Sequence, residues 1–286
     1  MAYALALVAA VLSAGATIFI RYGLRDSSPY AGFGINVLVG TLGFWIAVLV
    51  SGELGRPTAA GVAFFVLAGL IGTVAGRLLR FFSIEKVGAS ISSALINLNP
   101  LISTLLAIPL LGERVTLPIL VGTLVITVGT TLLSLGGREI GFRPRHLALP
   151  VLSATCFGAV AILRKLGLGH MGPVAGTTIN VTTALIAFTG FLVVSGQRGA
   201  MVTRGRSLAC FVAAGVAENT GVFLNIVALS VGAVSVVAPL YGTSPIFVLL
   251  LSFIFLRRLE PLTGRVIVGT LLIVLGVILI TALSGR

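Results

Sequence analysis

Apolar positions along the chain gather into long runs, and the polar positions between them form short breaks. A hydrocarbon core of roughly 30 Å is crossed by about 20 apolar residues in helical conformation, and the runs have that length. The pattern predicts ten membrane-spanning helices over residues 2–20, 31–51, 60–82, 88–111, 116–136, 147–166, 173–195, 207–229, 232–256 and 262–283. Residues 137–146, with Arg138, Arg143, Pro144 and Arg145, are the one stretch that reads as a linker. It separates a first five-helix unit, 1–136, from a second, 147–286.

The two units say the same thing. Ile35-Asn36-Val37 returns as Ile179-Asn180-Val181, Val87-Gly88-Ala89 as Val231-Gly232-Ala233, and Val121-Gly122-Thr123-Leu124 as Val268-Gly269-Thr270-Leu271, about 144 to 147 residues later. Pro100 meets Pro245 and Glu113 meets Glu260 in the same register. Because five is odd, the second unit enters the membrane inverted relative to the first. The expected fold is therefore an all-α membrane protein of ten transmembrane helices in two inverted five-helix repeats, the symmetry that underlies alternating access. The two prolines fall near the middle of the fourth and ninth predicted helices, where each is expected to bend its helix and free a backbone carbonyl.

Composition agrees with the bilayer as solvent: 57% of residues are hydrophobic, 9% are charged and the mean hydropathy is +1.17, against about 25% charge in soluble domains. The net charge of +12 is dispersed over loops rather than gathered in a stripe, which argues against nucleic acid and for a topology signal. Of the 19 Lys and Arg residues, all but Arg56, Arg114, Arg164, Lys165 and Arg286 lie on the side reached after odd-numbered helices. By the positive-inside rule that side is cytoplasmic and both termini face outward. The first charge is Arg21, so no basic leader precedes the first apolar run, which is expected to stay as a helix. Cys156 and Cys210 lack metal or redox spacing and read as packing residues. The 36 glycines, many inside predicted helices, read mainly as points of close helix contact.

Charge or polarity at the bilayer centre costs about 2.5–3.5 kcal/mol per charged group, so each instance asks for a reason. Glu218 is the sharpest, central in the eighth helix beside Asn219 and Thr220, with Asn225 seven residues on and on the same face. It could bind an amino group or carry a coupling proton; the bland alternative is an ion pair holding helices together. Thr73, Arg77 and Arg80 form a stripe at i, i+4, i+7 on the third helix, and aligning Gly76 with Gly221 sets Thr73 against Glu218 and Arg80 against Asn225. Arg77 is expected either to pair with Glu218 or to contact a carboxylate or phosphate; Arg80 is expected to snorkel to the interface. Ser90, Ser93, Asn97 and Thr104 make a further stripe on the fourth helix, with Asn99 beside it. Tyr241, Thr243 and Ser244 occupy the equivalent depth of the ninth. Candidate substrate-binding or coupling residues are thus Glu218, Arg77, Asn97, Asn99, Tyr241, Asn219, Thr243 and Asn225. Glu113 and Glu260, at helix ends, are expected to interact with arginines and helix termini. His146 and His170 cannot form a metal constellation alone, and no catalytic triad, paired carboxylates or P-loop is visible, so neither an enzyme nor a cofactor is expected.

The order Ser83-Ile84-Glu85-Lys86-Val87-Gly88-Ala89, Pro100, Gly112-Glu113, Gly122, repeated as Ala228-Leu229-Ser230-Val231-Gly232-Ala233, Pro245, Glu260, Gly269, resembles the drug/metabolite transporter superfamily, and within it the ten-helix EamA-type proteins. Arg21 and Arg164 stand where that family often has a basic residue. At Asn36 and Asn180 the chain departs from the family pattern, which has basic or apolar residues there. The resemblance implies a carrier of the cell inner membrane for small organic solutes, with a cavity lined mainly by the first, third, fourth, sixth, eighth and ninth helices. The function expected is secondary active transport of a small polar organic metabolite, an amino acid or a related one, with membrane lipids around it, a proton as a candidate coupling ion and homodimerisation left open. The rival is a lipid-handling or structural membrane component with no soluble substrate.

Overall fold

Leu42, Ile46, Leu49, Val50, Ile186, Val194 and Leu271 all point outward with large exposed surfaces. Such an exterior would aggregate in water and is matched to lipid. The computed structural model describes residues 1–24, 26–52, 57–87, 92, 95–134, 144–196, 203–255 and 264–283. Ser90 and Ser93 of the fourth-helix stripe, Glu260 and most of the 137–146 linker lie outside the described residues, as do Arg25, Arg56, Arg138, Arg143, Arg198, Arg257, Arg258 and Arg286 of the charge count.

The described elements are α1 (Ala2–Gly23), α2 (Pro29–Ser51), α3 (Ala59–Ala68), a π-helical segment (Gly69–Gly76), α4 (Arg77–Val87), α5 (Asn99–Leu111), α6 (Leu117–Ser134), a 3₁₀ turn (Pro144–Leu147), α7 (Ala148–Leu168), α8 (Pro173–Val194), α9 (Gly205–Val231), α10 (Val234–Tyr241), α11 (Ser244–Phe255) and α12 (Gly264–Leu283). Among the described residues six helices are long and apolar enough to cross a membrane, and four shorter apolar helices accompany them, Asn99–Leu111, Leu117–Leu133, Val234–Val248 and Ile267–Ala282. Local chemistry sets the ends. Ser28 caps α2, its Oγ accepting from Ala31 N–H at 3.1 Å with Pro29 behind it, and Gly52 closes the helix at φ +66°.

Packing follows the sequence repeat. α1 lies along α9 and, reciprocally, α7 lies along α3, the π segment and α4; α2 contacts α8 and α9, while α8 contacts α2, α3 and the π segment; α6 pairs with α12. Every one of these contacts has a counterpart under exchange of the two units. Small residues allow the approaches, since there is no water to expel and van der Waals contact must do the work. A Cβ on Gly221 would stand 3.1 Å from the Ala9 carbonyl oxygen of α1, and one on Gly76 would stand 2.9 Å from the Phe157 ring of α7.

Two predicted helices are interrupted. The fourth, expected as one helix over 88–111, turns at Asn97–Leu98 and starts again as α5; the ninth, expected over 232–256, turns at Gly242–Thr243 between α10 and α11. Pro100 and Pro245 are each the second residue of the restarted helix, where a missing N–H costs nothing because the first turn has no intrahelical acceptor. They therefore permit a fresh start rather than bend a continuous rod. The third predicted helix, 60–82, runs on to Val87 and changes to π winding over Gly69–Gly76. Thr73 lies within the π winding and Arg77 is the first residue after it.

Glu113 shows how the start of the ninth span is held. Its carboxylate accepts from the N–H groups of Val234 at 2.6 Å and Ser235 at 2.9 Å, capping the start of α10. Lys165 Nζ donates to the carbonyls of Leu229 at 2.6 Å and Gly232 at 2.7 Å at the end of α9. Anion at an N-terminus and cation at a C-terminus are the favourable placements against the helix dipoles. Glu113→Gln keeps the shape but loses the charge and one of the two acceptors, and should cost about 1–2 kcal/mol. Denaturant titration of the purified protein in detergent measures this, and an unchanged midpoint would refute the capping role.

Candidate functional site

The longest-range polar contacts converge where α2, α4 and α9 meet. An Arg77 terminal nitrogen, Nη2, lies 3.5 Å from Glu218 Oε1, and the other, Nη1, donates to Asn36 Oδ1 at 3.4 Å. The guanidinium also sits 5.6 Å from the centre of the Phe33 ring, a cation–π arrangement. These contacts are long beside the 2.7–2.9 Å usual for charge-assisted bonds. Side-chain exposures of 23% for Arg77 and 18% for Glu218 leave both partly open. The pair is formed but loose.

Further charge surrounds it. Arg80, one turn along α4, is exposed and lies within electrostatic reach of Glu218 and Arg77. α4 continues beyond it to Val87. Arg164 of α7 lies within electrostatic reach of Tyr241, Arg77 and Glu218, and its Nε is buried with no hydrogen-bond partner. Tyr241, the last residue of α10, is engaged by the Ser13 side chain of α1.

The other expected site residues divide. Asn219 belongs to the contact between α2 and α9: its Nδ2 donates to the carbonyls of Asn36 at 2.9 Å and Gly215 at 2.7 Å. It also borders a cleft of about 320 Å³ whose remaining walls, among them Gly40, Phe44, Val216 and Phe223, are mostly apolar. Thr243 is buried and spends its hydroxyl on the Leu240 carbonyl at 2.7 Å, closing the turn of the ninth span. Asn99 donates to the Ile96 carbonyl at 2.9 Å, doing the same for the fourth. Asn97 lies in that turn and Asn225 is buried in α9.

Asn36 and Asn180, conspicuous by their repetition, prove to be matching anchors. Asn36 receives Arg77 and Asn219, while Asn180 Oδ1 accepts from Thr73 Oγ1 at 3.3 Å. The Asn36 side chain holds Arg77 of its own unit and its carbonyl holds Asn219 of the other, while the Asn180 side chain holds Thr73 across the units. Phe33 carried no signal of its own, since an aromatic three residues from another, Tyr30, on an apolar helix is unremarkable. Among the described residues no group of three His, Cys, Asp or Glu is placed to hold a metal ion.

An apolar exterior, helices long and apolar enough to cross a bilayer and an ion pair between two of them define a multi-pass membrane protein built from two repeats. The chain belongs to the EamA-like transporter family, whose model matches residues 1–135 and again 146–282. A solved crystal structure aligns over 100% of this chain and 98% of its own at a TM-score of 0.84 and 19% identity, a likeness of fold. No curated protein matches the chain.

Proposed function

We propose that this transporter is a secondary active carrier of a small polar organic metabolite, an amino acid or a related compound, across the cytoplasmic membrane. Ten spans in two inverted repeats, with both termini outside, would alternate access to a central site beside the Arg77–Glu218 pair. The observation that carries this is the loose Arg77–Glu218 pair: two opposite charges kept inside a membrane protein at more than ideal bonding distance, both partly exposed, are available to a solute or a proton. A fixed structural clamp would be drier and shorter. Glu218 is the coupling or amino-binding group, Arg77 its partner, and Tyr241 a neutral contact at the break of the ninth span.

The test is solute uptake into proteoliposomes with and without a proton gradient, comparing Glu218→Gln with the parent. Loss of gradient-driven uptake, with exchange of solute retained, is expected if Glu218 moves the proton. Equal transport by the two proteins from acid to alkaline pH would remove the coupling role.

A further inference from the structure

Lys165 and Glu113 grip the two sides of one short junction. α9 ends at Val231 and α10 begins at Val234, and Gly232 (φ −139°, ψ 164°) and Ala233 (φ −73°, ψ 145°) run extended between them. Lys165 Nζ holds the carbonyls on one side, Leu229 and Gly232, and the Glu113 carboxylate holds the N–H groups on the other, Val234 and Ser235. The four bonds measure 2.6 to 2.9 Å, the range of tight charge-assisted contacts, against 3.5 Å for Arg77 and Glu218. Glu113 belongs to the first unit and the junction to the second, so the contact also joins the units. The end of α5 aims the carboxylate: Gly112 turns left-handed at φ +65°, and the Glu113 N–H returns to the Ala107 carbonyl at 3.3 Å.

Beneath the junction the interior is dry. Ala6 of α1, Ala107 of α5, Leu229 of α9 and Val234, Val237 and Leu240 of α10 belong to one buried apolar cluster. Glu218, eleven residues before Leu229 and so about 16 Å away along α9, is partly exposed, whereas Leu229 is buried. A solute leaving the Arg77–Glu218 pair by this end has to part the cluster. Lys165 and Glu113 themselves are only half-buried, and Gly112 and Arg114 on either side of Glu113 are exposed. Short bonds hold the end shut, and water at their flank can replace them at little net cost, since bonds to protein are exchanged for bonds to water.

We infer that Lys165 and Glu113 are the latch of one gate: they hold the α9–α10 junction against α5 and α7 while this end is closed, and release it for solute to pass. This rests on the carrier function proposed above and assigns to it the residues that keep one end shut. Both are positioning residues, acting on backbone rather than on solute.

Two measurements test it, both in protein whose Cys156 and Cys210 are replaced by serine. In the first, Ala228→Cys, at a buried position of the cluster, reports entry of water through its reaction with a water-soluble maleimide, and Thr123→Cys, buried on α6, reports general loosening. Labelling follows the population of the open state. Lys165→Gln and Glu113→Gln are each expected to speed it about tenfold at Ala228→Cys, and Lys165→Arg, which keeps the charge, by less, with Thr123→Cys unchanged in all three. In the second, Glu113→Cys and Ser235→Cys are joined by oxidation. Counterflow of a radiolabelled amino-acid mixture into proteoliposomes should stop in the oxidised protein and return on reduction. Labelling that neither Gln variant changes, or that rises equally at both cysteines, would reduce the contacts to a structural clamp and overturn the inference, as would undiminished counterflow with the disulfide formed. Selective labelling with no amino acid exchanged even after reduction would count against the proposed function and leave the gate standing.

Discussion

Arg77→Leu is expected to lower stability by about 2–4 kcal/mol, because it leaves the Glu218 carboxylate inside the protein with no opposite charge in contact. The partial exposure of the pair, 23% and 18%, places the cost below that of breaking a fully buried one. Asn36 loses a donor to its Oδ1 in the same change, and the Phe33 ring loses its cation. Glu218→Leu alone should cost a comparable amount for the converse reason. The double variant should be destabilised by clearly less than the sum, since it removes both charges and leaves neither stranded. Unfolding titrations of the four proteins in one detergent complete the cycle. Additive costs would mean that the two groups do not sense each other, and the contact would lose its standing as an ion pair.

The second large effect belongs to the α6–α12 crossing, far from the charges. A Cβ on Gly129 would lie 2.7 Å from the Gly269 carbonyl oxygen, and one on Gly269 would lie 2.8 Å from the Gly129 carbonyl oxygen. The backbones meet through paired glycines, and neither has a flexible side chain that could yield. Gly129→Leu must push the helices apart and should cost about 3 kcal/mol or more. Gly190→Leu on α8 is the contrast. A Cβ there meets nothing within 4 Å, so that change should be neutral or, through helix propensity, stabilising by up to about 1 kcal/mol. Similar losses for the two variants would show that glycine matters here for some reason other than close approach.

Much of the site was legible before any coordinates. Glu218 and Arg77 stood out because a charge in an apolar run is improbable without a purpose, and the register between the units set their helices in correspondence. Tyr241 was marked by its depth beside Pro245. Arg164 was visible only as a basic residue near a helix end, and counting it as a loop charge concealed it. What places it within electrostatic reach of Tyr241, Arg77 and Glu218 is the packing of α7 against α3 and α4. Asn219 and Thr243 shared the signal of polar residues at mid-membrane, yet both satisfy neighbouring carbonyls. Periodicity reports a face; it cannot report whether a backbone acceptor lies within reach of that face.

The alternation of apolar runs and short breaks determines, by itself, that this chain lives in a bilayer as helices, because unpaired backbone groups cannot be left in hydrocarbon. The duplication of motifs likewise determines that two related units compose it. The interruptions at Asn97–Leu98 and Gly242–Thr243, the π winding of Gly69–Gly76 and the pairing of Arg77 with Glu218 were decided by tertiary structure. A helix gives up its ladder only where other groups supply partners and packing at the break: Asn99 and Thr243 close the two turns onto the Ile96 and Leu240 carbonyls, and the turns of the two units meet where Gly242 lies against Pro100.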